Sequence, residues 1–156
     1  MDAASEVKLA LVCPKLATLI RALAGMVTDE PIRVTQGLRT WAEQEAIYQQ
    51  GRTTPGEIVT NARPGYSWHQ FGLAVDVAPF DSEGNPDWNE THPVWKQLIT
   101  FGESLGMYSG DEFTHHDDPH FQLTGIFPVT PNDDARQILQ TQGLQAVWDT
   151  AGLTAA

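Results

Sequence analysis

The stretch SWHQFGLAVDVA, residues 67–78, contains the strongest strand signal of the chain and decides how the rest is arranged. Its last six residues alternate, so that one leucine and two valines share one face while two alanines share the other face with Asp76. A carboxylate in the middle of a strand is costly to bury unless it is paired or binds a cation. Asp76 is therefore predicted to have a partner of positive charge in the folded chain.

Helical and strand patterns on both sides of this strand predict an α+β fold in which helices pack on a central antiparallel sheet. The predicted elements are a helix over 14–26, a strand over 32–35, a helix over 41–50, the strand at 73–78, a helix over 93–105, a strand over 119–123 and two C-terminal helices within 130–153. A capping box, Thr40 with Glu43, opens the second helix. Residues 51–67 hold three glycines and two prolines and predict a long ordered loop, which in a small domain often serves function.

The C-terminal tail predicts two helices after the last strand. Thr130 is the expected N-cap and Pro131 the first residue of a helix that runs to Gln142. In the last short helix, Trp148 and its apolar neighbours are expected to cover the core. With 156 residues, 41% of them hydrophobic, the chain can bury one core, so residues 1–156 are predicted to form a single domain.

Charge and hydropathy argue against two classes of partner. Nine Lys and Arg residues against 20 Asp and Glu residues give a formal net charge of -11, whereas nucleic-acid binders concentrate positive charge on one face. The longest apolar runs are far too short to cross a bilayer, so no membrane insertion is expected. The first residues are acidic and lack a basic segment ahead of an apolar core, so we expect cytoplasmic synthesis without a signal peptide. We also expect a monomer.

Two histidines are the candidate partners of Asp76. His69 lies upstream across a short turn that contains Gly72, and His120 shares one face of the last predicted strand with Gln122. Two imidazoles and one carboxylate, without cysteine, make the ligand set of a catalytic zinc site, whose fourth position stays open to water. On spacing alone, the alternative in which His69 caps a turn and Asp76 pairs with an arginine stays open.

Two motifs carry a resemblance to a known family. SWHQFGLAVD (67–76) and DDPHFQ (117–122) resemble the Ser-x-His-x-x-Gly-x-Ala-x-Asp and Asp/Glu-x-x-His motifs of the zinc D,D-peptidase and L-alanyl-D-glutamate peptidase family, the M15 type. The stretch GLRTWAEQEAIYQQGRTTPGEIVTNARPGYS (37–67) is similar to the segment before the first motif in the L-alanyl-D-glutamate endopeptidase branch. The resemblance covers roughly residues 30–123. It implies a hedgehog/D,D-peptidase-like fold with a zinc cleft where the two motif strands meet.

The resemblance implies roles for six residues of this chain. It matches one Zn²⁺ per chain to His69, Asp76 and His120, the catalytic acid/base to Asp117, and the substrate pocket to Arg39 and Ser67. Zinc bound to two neutral histidines and one carboxylate keeps a net positive charge, which polarises a peptide carbonyl and acidifies a water molecule. An unliganded carboxylate takes up the proton and returns it to the leaving amine. Arg39 would stabilise an oxyanion or hold a substrate carboxylate, and its alternative is a plain surface arginine.

Only the spacing within the family motif selects Asp117 as the base. In a fully extended segment Asp118 would share the face of His120, and Pro119 favours extended geometry at Asp118. Asp118 is therefore the named alternative.

His115 and His116 precede this motif. His116 and His120 have the one-turn spacing of helical zinc ligands, but Pro119 between them would break such a helix. We expect both His115 and His116 to line the cleft or to face solvent.

The activity that the resemblance implies is hydrolysis of the stem peptide of bacterial peptidoglycan, at the L-alanyl-D-glutamate bond. A D-alanyl-D-alanine carboxypeptidase or dipeptidase is the alternative within the enzymes. A non-catalytic, zinc-dependent module that binds the cell wall is the alternative outside them. Since no signal peptide is expected, the implied setting is a bacteriolytic endolysin of a phage or prophage, released from the cytoplasm at lysis.

Overall fold

The computed structural model describes residues 1–154 and contains one antiparallel sheet with helices packed against it. The helices are α1 (Ala3–Leu9), α2 (Pro14–Met26), α3 (Trp41–Gln49), α4 (Pro93–Ser104), α5 (Asp133–Gln142) and α6 (Leu144–Thr150). The strands are β1 (Ile32–Gln36), β2 (Ala74–Pro79), β3 (Tyr108–Ser109) and β4 (His120–Gln122). The predicted α+β class, a central antiparallel sheet with packed helices, is confirmed.

Strand β2 is an internal strand of the sheet, and its side chains point alternately to an apolar face and a polar face. The strand order is β1-β2-β4-β3, and every neighbouring pair is antiparallel. In the β2–β4 register Val75 is opposite Phe121, and Asp76 is opposite His120. Because side chains alternate along a strand, the first pair belongs to the apolar face and the second pair to the other face. The two motif strands therefore meet side by side, as predicted.

Helices α2 and α4 pack on each other and share one core with the apolar face of the sheet. Helix α2 starts at Pro14, whose missing N–H costs nothing at the first helical position, and it spans the predicted residues. Its inward positions recur at helical spacing, and those of α4 meet them in the same core. The fully buried side chains of the two helices include Leu16, Ile20, Leu23, Val94 and Leu98.

The capping predictions hold for α3 and fail for α5. Thr40 and Glu43 form both bonds of the capping box, since the Glu43 N–H donates to Thr40 Oγ1 at 3.2 Å and the Thr40 N–H donates to Glu43 Oε2 at 2.7 Å. At α5 the N-cap is Asn132 instead of Thr130, because the Asn132 side chain accepts the Ala135 N–H at 2.9 Å. Asparagine is among the best N-caps, so this helix starts later than predicted.

Two short elements were not predicted. Helix α1 has seven residues, and its N-cap Asp2 accepts the Ser5 N–H at 2.9 Å, a local signal that the sequence does contain. Strand β3 has two residues and exists because it pairs with β4 at Tyr108 and Ser109. A two-residue strand has no periodicity of its own, so only the sheet defines it.

The C-terminal helices pack back onto the segment that carries the first motif. Trp148 of α6 is partly buried against the core, as predicted, and its Nε1 donates to the Phe71 carbonyl at 2.8 Å. Arg136 of α5 donates to the Gly65 carbonyl at 3.3 Å and stacks on Tyr66, with 4.2 Å between its guanidinium carbon and the ring centre. Within residues 1–154 the structure has no helix that is long and apolar enough to span a membrane.

Candidate metal centre and cleft

Three side chains from three elements converge on the polar face of the sheet. His69 lies on a 3-10 turn, Trp68–Phe71, which ends at Gly72 in the left-handed conformation with φ 62°. Asp76 and His120 come from the paired strands β2 and β4. The chain reverses between His69 and the strand at Gly72, and a residue with a Cβ would adopt this positive φ only at a cost.

The three inward atoms form a nearly equilateral triangle. His69 Nε2 lies 3.1 Å from Asp76 Oδ1 and 3.2 Å from His120 Nδ1, and His120 Nδ1 lies 3.2 Å from Asp76 Oδ1. A tetrahedral zinc ion with bonds of roughly 2.0–2.1 Å holds its ligand atoms roughly 3.3 Å apart. The donor set and its spacing therefore fit zinc, and the three atoms leave one side of the triangle open towards a cleft.

The hydrogen bond of His69 prepares it for a metal. Its other ring nitrogen, Nδ1, lies 2.9 Å from the Gly37 carbonyl oxygen. A carbonyl can only accept, so Nδ1 carries the proton of the neutral ring and Nε2 presents a lone pair to the triangle. Such an outward hydrogen bond is the usual partner of a metal-bound histidine. The side chain is only 3% exposed, so water does not compete for the hydrogen bond to Gly37.

The electrostatics of the triangle favour a negative Asp76 beside positive charge. Burial by itself would raise the pKa of Asp76, but the imidazoles of His69 and His120 hold that pKa well below its usual range. Burial likewise opposes the charged form of His120, yet the hydrogen bond and charge of Asp76 raise the pKa of His120 above its ordinary value. A proton or a cation is thus stabilised at this point.

Arg39 is a cleft residue and not the surface arginine of the alternative interpretation. Its side chain is 13% exposed, and Nη2 lies 3.7 Å from Asp76 Oδ2. Its Nη1 donates to Gln44 Oε1 at 2.9 Å, and Gln44 is fully buried. Burial lowers the pKa of Arg39, while Asp76 and Asp117 act in the opposite direction. Asp76 therefore has one oxygen towards the histidines and the other towards an arginine.

The segment before β4 is a tight turn, which separates Asp117 from Asp118. The Asp117 carbonyl accepts the His120 N–H at 2.9 Å, and the Asp117 N–H donates to the Gly110 carbonyl at 3.1 Å. Asp117 lines the cleft, whereas Asp118 lies beside Asp111 and His116. The extended geometry that would have put Asp118 on the face of His120 is therefore absent from this turn.

The pKa of Asp117 is shifted in the direction expected of a proton carrier. Desolvation by the surrounding atoms raises this pKa, and the nearby charge of Asp76 raises it further, although the residue is exposed to solvent. A carboxylate with a raised pKa accepts and returns protons more readily near neutral pH. Burial also raises the pKa of Asp118, followed by the charge of Asp111, but that group lies outside the cleft.

The triangle opens into a cleft with a volume of about 1070 Å³. Ser67, His115 and His116 line it, as predicted for the two histidines, and Ser67 is half-buried. The loop over residues 51–67 has no helix or named strand and forms a mixed wall of the cleft, in which polar residues accompany the aliphatic side chains of Ile58, 55% exposed, and Val59, 59% exposed. Exposed aliphatic side chains inside a cleft suit the methyl and methylene groups of a peptide.

Some cleft residues were not recognised from the sequence. Tyr48, Arg63 and Phe113 also line the cleft. Tyr48 and Arg63 lie in the stretch 37–67 that resembles the family segment, but nothing in that stretch singled them out, and Phe113 lies outside both motifs. Gln122 contacts His120, and its place on the same strand face was the available signal.

The profile of the VanY family, described as D-alanyl-D-alanine carboxypeptidase, matches residues 12–111. The matched range includes Arg39, Ser67, His69 and Asp76 and ends before the second motif. CwlK of Bacillus subtilis (strain 168), a peptidoglycan L-alanyl-D-glutamate endopeptidase, is 35% identical over 98 residues, which are 58% of this chain and 59% of CwlK. The chain thus spans less than two thirds of that relative.

Solved structures share this fold. The L-Ala D-Glu endopeptidase ChiX of Serratia marcescens superposes with a TM-score of 0.59 and 30% identity over 80% of this chain and 89% of ChiX. The D,D-dipeptidase VanXYg, solved with a D-Ala-D-Ala phosphinate analogue, has a TM-score of 0.56 and 21% identity over 89% of this chain and 59% of its own. The D,D-pentapeptidase VanY, solved with Zn(II), has a TM-score of 0.51 and 21% identity over 84% and 76%.

Proposed function

This chain belongs to the VanY (D-alanyl-D-alanine carboxypeptidase) family, and from that premise we propose that it is a zinc-dependent peptidase acting on the stem peptide of bacterial peptidoglycan. The observation that carries the proposal is the triangle of His69, Asp76 and His120 with a further carboxylate, Asp117, in the same cleft. Three ligands with an open fourth position are typical of catalytic zinc and not of structural zinc. We expect one zinc ion per chain.

The bond that we propose is the one between L-alanine and D-glutamate. Two relatives named for this bond support it, CwlK at 35% and ChiX at 30% identity. The aliphatic side chains of Ile58 and Val59 in the cleft and Arg39 beside the metal site offer the mixed apolar and cationic surface that a peptide with carboxylates needs.

A D-alanyl-D-alanine carboxypeptidase or dipeptidase is the second candidate, because the description of the matching family names that substrate. Digestion of purified muropeptides by the metal-loaded protein separates the two. Mass spectrometry that finds new N-terminal D-glutamate supports the endopeptidase. Free D-alanine as the only product overturns it in favour of the carboxypeptidase.

The residues of the cleft have different roles in hydrolysis. When bound, zinc supplies Lewis acidity, which polarises a carbonyl and lets a water molecule lose a proton near neutral pH. Asp117, which holds no place in the triangle, accepts the proton of the attacking water and delivers it to the leaving amine. Arg39 donates hydrogen bonds to the oxygen on which negative charge develops or holds a carboxylate of the substrate. Asp76 and the two histidines keep the metal in place and take up no proton of the reaction.

A non-catalytic module that binds wall peptide through the same zinc is the alternative outside the enzymes. The position of Asp117 in the cleft supports an enzyme, since a binding module has no need of a base there. Metal-loaded protein that binds wall fragments, releases no peptide and is unaffected by Asp117→Asn would establish the module.

We also propose that this peptidase activity lyses bacteria. An endolysin reaches the wall when the host lyses, and we propose this route for the chain. Purified protein added to isolated sacculi of a susceptible host should clear the suspension in a chelator-sensitive manner. If only soluble muropeptides are cut and sacculi stay intact, the peptidase proposal survives and the lytic role is wrong.

A further inference from the structure

We propose that Gln122 is a positioning residue that sets the tautomer of His120, and that the backbone carbonyl of Val129 holds both Gln122 and the turn that carries His69. The inference rests on the metal site of the proposed function. It does not depend on which peptide bond, if any, the chain cleaves.

The Gln122 amide has one orientation that satisfies both of its neighbours. Its Nε2 lies 2.9 Å from the Val129 carbonyl oxygen. Because a carbonyl only accepts, the amide must turn its NH₂ group to Val129, and this leaves Oε1 facing His120 Nε2 at 3.0 Å. An amide oxygen also only accepts, so His120 must carry its proton on Nε2. Its Nδ1 then presents a lone pair to Asp76 and His69.

Burial removes the alternatives to this arrangement. Gln122 is 2% and His120 is 5% exposed, so water does not compete for their polar atoms. Turning the Gln122 amide over would bring oxygen against the Val129 oxygen and an NH₂ group against the ring nitrogen. Buried polar groups left without a partner destabilise the folded state, so one orientation is strongly preferred.

The Val129 carbonyl accepts two hydrogen bonds, of which the one from Gln122 is the first. It also accepts the indole N–H of Trp68 at 2.7 Å. Trp68 directly precedes His69 in the 3-10 turn, and it is 2% exposed. One carbonyl, which has two lone pairs, therefore receives a donor from each of the two histidine-bearing segments.

The segment between β4 and α5 is itself held in place. Phe127 is 8% exposed and packs on Trp68 with 5.6 Å between ring centres. The Thr124 hydroxyl donates to the Phe127 carbonyl at 3.0 Å. This segment, which lies outside the range matched by the family profile, hence preorganises two metal ligands without contacting the metal.

The test compares variants of Gln122 by histidine tautomer and by zinc affinity. In the unsubstituted protein, long-range ¹H–¹⁵N spectra recorded without metal at alkaline pH should show His120 protonated on Nε2. Gln122→Met keeps the length of the side chain but removes both hydrogen bonds, so we expect a mixture of tautomers and zinc affinity lower by about 10–100-fold. Gln122→Glu keeps an acceptor for His120 but loses the donor to Val129, so it should restore the Nε2–H tautomer that Gln122→Met loses.

Phe121→Leu is the matched control. It alters the neighbouring residue on the opposite, apolar face of β4 and should lower thermal stability without changing tautomer or zinc affinity. The variants Trp68→Phe and Gln122→Met should lower zinc affinity non-additively, because their donors share one acceptor.

The results separate this proposal from the proposed function. His120 protonated on Nδ1 in the unsubstituted protein, or Gln122→Met with unchanged tautomer and affinity, overturns the role of Gln122. An unsubstituted protein that shows the Nε2–H tautomer but binds no zinc supports the hydrogen-bond argument and contradicts the metalloenzyme. Should Gln122→Met not fold, the tautomer of the unsubstituted protein and the Gln122→Glu variant still decide.

Discussion

Asp76 on β2 and His120 on β4 are direct cross-strand partners, and Asp76 Oδ1 lies 3.2 Å from His120 Nδ1. Opposed residues of an antiparallel pair project from the same face with their Cβ atoms close together. The sheet register therefore brings two distant motifs to hydrogen-bonding distance. His69 completes the triangle from a turn that is anchored to the same strand through Gly72.

Zinc binding and catalysis are expected to separate in variants of the two motifs. If the proposed function is right, the unsubstituted protein binds zinc, and His69→Ala and His120→Ala should lose it because each removes one of the three proposed ligands. Asp117→Asn should keep its zinc and lose activity by about 10²–10⁴-fold, the usual contribution of an acid/base. Metal analysis of dialysed protein and turnover of muropeptides measure the two effects.

Asp118→Asn is the matched control for Asp117→Asn. It makes the same chemical change one residue away, outside the cleft, and should keep both zinc and activity. Full activity in Asp117→Asn together with an inactive Asp118→Asn would transfer the role of base to Asp118.

The stability of the metal-free protein should depend on pH through the triangle. The pKa of His120 is raised above its ordinary value of 6.5, so its contribution is complete below that value and is lost as pH rises through the higher pKa of the folded state. The pKa of Asp76 is lowered from 3.8, so its contribution is present above that value and is lost as pH falls through the folded pKa. Metal-free protein should thus be most stable between these limits.

Bound zinc should reverse the loss of stability that the metal-free protein shows at alkaline pH. A metal ion replaces the proton between the ligands, and protons compete with it less as pH rises. The difference in Tm between zinc-loaded and metal-free protein should therefore grow from weakly acidic to weakly alkaline pH, and His120→Gln should abolish that growth. A difference that shrinks over this range would contradict the proposed ligand role of His120.

Gly110→Ala is expected to impair activity by displacing Asp117. A Cβ at this position would collide with the Asp117 carbonyl oxygen and lie 2.9 Å from the His120 Cβ. The turn before β4 must therefore shift, and misplacing a catalytic group by about 1 Å can cost about 10²-fold in rate. Comparison of kcat with thermal stability checks the prediction.

Gly25→Ala serves as the control for Gly110→Ala. Nothing lies within 4 Å of a Cβ at Gly25 in α2, so the exchange should stabilise the helix by about 0.5–1 kcal/mol and leave kcat unchanged. Equal kcat in the two variants would show that the close approach at Gly110 has no effect on Asp117.

Arg39→Lys should lower kcat/KM by about 10²–10³-fold while zinc content stays unchanged. The guanidinium reaches Gln44 and Asp76 with different nitrogens, and a single ammonium group does not span both. Steady-state kinetics on a defined muropeptide give the measurement. Arg33→Lys, at an arginine that stacks on Phe80 away from the cleft, should behave like the unsubstituted protein.

Much of the fold follows from local patterns. Pro14 starts α2 because the first N–H of a helix has no partner within the helix, so its absence costs nothing. The pair Thr40 and Glu43 starts α3 because backbone N–H groups at a helix start need partners from neighbouring residues. The alternation around Asp76 predicted β2 to within one residue at each end. Each of these signals lies within a few residues of the structure that it specifies.

The candidate site was predictable as a set of residues but not as an arrangement. His69, Asp76, His120, Arg39 and Asp117 were all nominated from motifs, and the structure gathers them in one cleft. The motifs carried the residue types and their spacing. They held no information on which oxygen of Asp76 faces a histidine and which faces an arginine.

Tertiary structure alone decided the position of the second aspartate and the hydrogen bonds around His120. The turn closed by the Asp117 carbonyl and the His120 N–H turned Asp117 into the cleft, where periodicity had favoured Asp118. The link from Gln122 through Val129 to Trp68 joins residues that no local pattern relates. Sequence determined the helices, the strands and the chemical groups because short-range bonding fixes them. The positions of those groups depend on packing and sheet register, which bring together residues that are far apart in the chain.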